Sequence, residues 1–179
     1  IRQSKYVYVE GYLFAGTSTK DAALKAIELA KKHKVKVAFT VSDPFLIHSF
    51  RDEFWKLIEG PVDLLFCNEE EAFQLTGRTD LKHALTDLSI KVATVVVTSG
   101  PEGAVAIENG ERISIPAAPV SEVVDTTGAG DLFAAGFLTA RCKGATLERC
   151  LWTGAIAAAE IIQHYGARPM TDLKSLVKL

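Results

Sequence analysis

Residues 123–137 read VVDTTGAGDLFAAGF. Asp125 and Asp131 bracket two threonines and Gly128-Ala129-Gly130, and a run of small and apolar residues follows at once. Glycine tolerates backbone conformations that other residues resist, and consecutive turn N–H groups aimed into one concavity bind anions. A helix starting near Ala129 adds its positive end to the same point. Such a loop receives phosphate. Asp131 falls in the first helical turn, where the local field favours its ionised form. A carboxylate there can take a proton from a hydroxyl while Gly128, Ala129 and Gly130 steady a phosphoryl group, which is what phosphoryl transfer to an alcohol requires. Asp125 organises the loop. The structural alternative for the same residues is a tight turn with a capping aspartate, worth about 1 kcal/mol. No G-x-x-x-x-G-K-[ST] occurs, and a Rossmann reading needs Gly or Ala at residue 133 and finds Phe133.

The elements around this loop alternate. KYVYV (5–9) reads as a strand, and Ser18 or Thr19 is expected to cap a helix to about His33. VKVAFTV (35–41), VDLLFC (62–67) and ATVVVTS (93–99) are near-continuous apolar runs, as in strands covered on both faces. Helices are expected over 45–58, from Asn68 to Leu75, and from Asp80 to Leu88. GAVAIE and ERISIPA flank Asn109-Gly110, a strong hairpin signal. Further helices are expected over 129–143, 147–165 and 172–178. The pattern predicts an α/β fold: a doubly wound, mainly parallel sheet with helices on both faces and an edge β-hairpin, in one domain over 1–179.

The chain has 179 residues, 48% hydrophobic and 23% charged, which suits a soluble globular core. A net charge of −2 with interspersed signs gives no footprint for nucleic acid. The three cysteines, Cys67, Cys142 and Cys150, have no metal-ligand spacing and read as reduced thiols of a cytoplasmic protein. No uncharged apolar run reaches the roughly 18 residues of a membrane span, and no secretory signal opens the chain. The four histidines and two tryptophans read as structural or surface residues. Ile1 lies so close to a strand that upstream sequence is expected to be missing.

DTTGAGD matches, with nothing out of place, the DTxGAGD signature of the ribokinase-like (PfkB) sugar and nucleoside kinases. Three further stretches carry the resemblance. CNEEEA (67–72) resembles the family's N-x-x-E motif, in which Glu71 orders Mg²⁺ and phosphate through water and Asn68 supports it; a plain helix cap accounts equally well for both residues. VVVTSGPEGA (95–104) resembles the strand and T-x-G-x-x-G turn that meet ATP, which implies Thr98, Gly100 and Gly103 as nucleotide contacts; a strand-to-turn junction is the alternative. GAIAAAEIIQHYGARP (154–169) resembles the small-residue helix beside the adenine site, packing on Ala134, Ala135 and Gly136 and ending in a turn at Gly166-Ala167. The resemblance also implies a monovalent cation, K⁺, between that turn and Asp125 with Thr127.

The resemblance covers the family's C-terminal, nucleotide-binding part; the N-terminal part and the small β lid that build most of the acceptor site are missing. EGYLF, VSDPF and HYGARP look closest to the adenosine-kinase-like branch, which implies a nucleoside or ribose-type sugar as acceptor. Glu10 and Tyr12 stand where open α/β sheets bind ligands, or simply end a strand. Three readings stay open: an ATP- and Mg²⁺-dependent kinase, a nucleotide-binding module without catalysis, or a structural or oligomeric α/β domain in which the motif is a chance match. The 179 residues alone are expected to be catalytically inactive and, with sheet surface uncovered, to form homo-oligomers.

Overall fold

The computed structural model describes residues 1–177. Its strands are β1 (Tyr6–Glu10), β2 (Lys36–Thr40), β3 (Leu64–Asn68), β4 (Thr94–Thr98), β5 (Ala104–Glu108) and β6 (Glu111–Ile115), and the sheet carries them in that order. Its helices are α1 (Thr17–Lys32), α2 (Pro44–Ile58), α3 (Glu69–Thr76), α4 (Leu81–Ser89), α5 (Ala129–Cys142), α6 (Leu147–Ile161) and α7 (Leu173–Leu176). Strands β1, β2 and β3 pair in parallel, with Val7 opposite Val37 and Phe39 opposite Leu65. β2, β3 and β4 bury continuous runs of residues instead of alternating ones, as parallel strands do. Between β5 and β6, Asn109 and Gly110 both take positive φ (52° and 81°), the pair of left-handed residues that a two-residue hairpin demands. The mainly parallel α/β sheet with an edge hairpin is therefore what these residues form.

By contact density the chain divides into two compact units, Ile1–Val97 with Ile107–Glu111, and Thr98–Ala106 with the chain from Arg112 onward. In the first unit a phenylalanine cluster sits at the centre. Phe54 meets Phe39 at 5.2 Å and Phe14 at 5.4 Å, both edge to face, and each such pair contributes about 0.5–1.5 kcal/mol beyond its buried area. Phe14 comes from a 3₁₀ turn, Gly11–Ala15, which the apolar periodicity did not foretell. Helix starts here are set by side chains. Asp43 Oδ1 accepts from Phe45 N at 2.7 Å ahead of Pro44, and Asp80 Oδ1 accepts from His83 N at 3.0 Å. α1 departs from the expected cap: it begins at Thr17, Gly16 is its N-cap, and Thr19 Oγ1 donates back to Leu13 O (2.7 Å) and Gly16 O (2.9 Å).

In the second unit α5 and α6 pack with their backbones close. A Cβ on Gly136 would lie 2.6 Å from Thr153 O, and one on Gly154 would lie 2.7 Å from Phe133 O. Ala134 is buried in this contact region, but Ala135 is exposed. α6 stops at Ile161, about one turn before the expected Tyr165. The cause is an incoming strand of backbone: Ile162 O accepts from Val124 N (2.8 Å) and Asp125 N (3.3 Å). The Gly166 N–H that would have continued the helix goes to Asp125 Oδ2 instead. α7 is capped by Asp172; Lys178, its expected end, lies outside the described residues.

Candidate functional site

The loop ahead of α5 is built around Asp125. Its Oδ1 accepts from Thr127 N at 2.9 Å and its Oδ2 from Gly166 N at 3.0 Å, so one carboxylate ties the loop to a turn 41 residues away. The Thr127 side chain, then the Gly166 and Thr127 backbone N–H groups, hold this carboxyl down at about 2. Ala129 N closes the turn on Thr126 O at 3.1 Å. Gly128 follows as the N-cap of α5 with φ +83°, ψ 0° and no side-chain cap. A Cβ there would stand 3.1 Å from Ala167 Cβ, so the left-handed backbone favours glycine and the neighbouring turn leaves little room for a side chain.

The first helical bond runs from Leu132 N to Gly128 O at 2.9 Å. The N–H groups of Gly130 and Asp131 find no protein acceptor among the described residues. Both residues are exposed, and among the described residues nothing outside the adjoining backbone lies within 4 Å of the space a Gly130 side chain would fill. Two donors left unengaged at the positive end of a 14-residue helix are the kind of arrangement that can receive an anion. The Asp131 carboxylate stands in the same turn, exposed to solvent.

At the end of β4, Thr98 is half-buried and the chain enters a 3₁₀ turn over Gly100–Glu102. Gly100 (φ +52°) is exposed, whereas Gly103 (φ +98°) is buried so tightly that a Cβ would fall 2.1 Å from Ile115 O. Gly103 thus shapes the turn by yielding to β6, while Gly100 is open to an approaching ligand. Just ahead of Gly100, Ser99 Oγ is buried with no hydrogen-bond partner among the described residues. An unsatisfied hydroxyl of this kind normally finds an acceptor. Sequence reasoning passed over Ser99, although its place between Thr98 and Gly100 was the available signal.

Asn68 and Glu71 belong to the first unit, where they form a reciprocal capping box. Glu71 N donates to Asn68 Oδ1 at 2.8 Å, Asn68 N to Glu71 Oε2 at 2.8 Å, and Asn68 Nδ2 to Glu71 Oε1 at 3.0 Å. Glu71 is only 4% exposed. Burial pushes its carboxyl up to about 7 against the opposing Asn68 N–H bond, with the charges of Asp43 and Glu70 adding to the rise. Burial and the neighbouring Glu71 likewise push the Cys67 thiol up. Elsewhere in this unit Tyr12 OH donates to Asp43 Oδ2 at 3.1 Å, and Glu10 ends β1 half-buried.

The structure brings Asp125, Thr127 and Gly128 together with Gly166 and Ala167, a neighbourhood that the resemblance implied and that spacing along the chain does not show. Among the described residues no three His, Cys, Asp or Glu side chains gather closely enough to hold a metal ion by themselves. Among them, too, no helix is long and apolar enough to cross a membrane.

A model of the pfkB family carbohydrate kinases matches residues 1–173. The chain is 34% identical over 147 residues to a cytidine kinase of Thermococcus kodakarensis, covering 80% of this chain and 52% of that protein. It is 32% identical over 179 residues to an adenosine kinase of Saccharomyces cerevisiae, covering 93% of this chain and 52% of that one. The solved adenosine kinase of Sinorhizobium meliloti superposes with a TM-score of 0.95 at 40% identity, over 98% of this chain and 54% of that one. The chain therefore spans about half the length of the relatives it matches. The ribokinase-like fold and the likeness to the adenosine-kinase-like branch both stand.

Proposed function

The chain belongs to the pfkB family of carbohydrate kinases, and on that premise we propose that it is the nucleotide-binding part of an enzyme that transfers a phosphoryl group from ATP to a hydroxyl of a nucleoside or ribose-type sugar. The observation that carries this reading is the pair of unengaged N–H groups at Gly130 and Asp131, beside an exposed carboxylate in the same turn. Gly128, Ala129 and Gly130 cradle the terminal phosphate, and charge developing on its oxygens meets fixed donors that need no reorganisation. Asp131 accepts the proton of the attacking hydroxyl. Thr98 and Gly100 approach the nucleotide at the end of β4, and Gly103 sets the turn that lets them.

Mg²⁺, which such transfers use, neutralises phosphate charge. Both Glu71 oxygens are already engaged by Asn68, so this carboxylate fits Mg²⁺ through water and not as a direct ligand. The ionised Asp125, with Thr127, fits a monovalent cation such as K⁺ beside the turn at Gly166. Adenosine- and cytidine-type acceptors are the leading candidates because the relatives named above are kinases of those nucleosides. The 179 residues assayed alone fit the second reading, nucleotide binding without turnover, since they span about half of those enzymes.

Asp131→Asn in the full-length polypeptide tests the assignment. ADP production with adenosine, cytidine and ribose should fall by roughly 10³-fold in kcat while the KM for ATP stays within about threefold. Near-normal turnover in this variant removes Asp131 as the base.

A further inference from the structure

Glu160 is the one acidic residue in the run AIAAAEII, and it is only 8% exposed. A carboxylate is costly to bury unless it is hydrogen-bonded. Its Oε1 accepts from Met170 N at 2.9 Å and Thr171 N at 2.8 Å, and His164 Nε2 stands 3.4 Å from the same oxygen. Both bonded groups are backbone N–H groups from the segment that follows the turn at Gly166-Ala167. That turn is the one whose Gly166 N–H holds Asp125 Oδ2 and whose Ala167 stands beside Gly128, 3.1 Å from where a Gly128 Cβ would be. A chain of direct contacts thus leads from a buried side chain on α6 to the loop that carries the free donors.

We propose that Glu160 is a positioning residue for the Gly128–Asp131 anion receptor: by gripping the 170–171 backbone it holds the Gly166-Ala167 turn against Asp125 and Gly128. The link is mechanical. Residues 162–171 have no regular secondary structure, and Tyr165 through Thr171 are exposed, so apolar burial does little to hold them. The two Oε1 bonds anchor the far end of this segment and the Asp125 bond anchors its middle. Without the first anchor the turn is free to recede, and the loop ahead of Gly128 loses the Gly166 bond to Asp125 that fixes it. Glu160 touches no reacting atom in this account. His164 shares the Oε1 corner, and among the described residues Glu160 Oε2 and both His164 ring nitrogens have no hydrogen-bond partner. The geometry at Oε1, and not the charge of the pair, carries the function.

The inference rests on the kinase reading above, and two measurements separate their failures. In the full-length polypeptide, Glu160→Ala should lower kcat by about tenfold or more with the KM for ATP within about threefold. Glu160→Gln, which keeps a carbonyl acceptor at the same place, should restore kcat to within about threefold of the parent. A folded Glu160→Ala protein with parental kcat, or an equal loss in Glu160→Gln, overturns the proposal. Amide hydrogen exchange reads the same link without catalysis. Glu160→Ala should speed exchange at Gly166, Met170 and Thr171 by about tenfold or more while Glu160→Gln leaves it near the parental rate. Faster exchange confined to Met170 and Thr171, with Gly166 unmoved, overturns it even if the parent protein proves to have no kinase activity.

Discussion

Replacing Glu71 by glutamine should change how the protein's stability depends on pH, and the sign follows from burial. The folded carboxyl titrates at about 7 against an ordinary value of 4.5. Between those two pH values the folded state holds a proton that the unfolded state has released. Stability from this group is therefore fully present below pH 4.5 and is lost as pH rises through 7. A rise of that size corresponds to about 3 kcal/mol for a group this well buried. The substituted amide cannot titrate, so the stability difference between variant and parent should move by about 3 kcal/mol in the variant's favour between pH 5 and pH 8. A constant offset is expected besides, because the new amide presents a donor to Asn68 Nδ2 or Asn68 N, both of which now donate to Glu71. Urea unfolding can be followed by Trp55, whose Nε1 donates to Leu75 O at 3.0 Å at the end of α3, in a Trp152→Phe background that removes the other indole. Parallel stability curves for parent and variant across this window, or a difference that moves the other way, would refute the reasoning.

The two loop glycines should separate folding from binding. Gly128→Ala forces a left-handed alanine against Ala167 and should cost about 1–3 kcal/mol by thermal or urea unfolding. Gly130→Ala meets nothing within 4 Å, so it should leave stability within about 0.5 kcal/mol yet weaken ATP binding by filling the space in front of the free donors. Equal stability losses in the two variants would contradict the geometry of the loop. On the buried side, Gly136→Ala places a methyl 2.6 Å from Thr153 O, and prying α5 from α6 should cost about 1–3 kcal/mol or more. An unchanged unfolding midpoint would show that the two helices are not locked at this contact.

Much of the fold was legible because its signals act over a few residues. Apolar runs marked β2, β3 and β4, Asp80 and Asn68 marked helix starts, and Asn109-Gly110 marked the hairpin. The misjudged features depend on distant partners. Ser18 and Thr19 have the chemistry of N-caps, yet Thr19 turns back to Leu13 O because a 3₁₀ turn precedes the helix. Ala135 belongs to a small-residue stripe, but only tertiary packing decides that it faces solvent while Gly136 meets Thr153.

The candidate site divides the same way. DTTGAGD alone determined that a glycine turn with a following carboxylate opens a helix, since the φ tolerance of Gly128 and the first-turn place of Asp131 are properties of the local chain. Tertiary structure decided where α6 stops, what Asp125 binds, why Gly128 has little room for a side chain and why Glu71 holds its proton near pH 7. The first two outcomes are set by hydrogen bonds, the third by steric exclusion and the fourth by loss of water. All depend on groups that folding brings together from far apart in the chain, and no local pattern of residues encodes them.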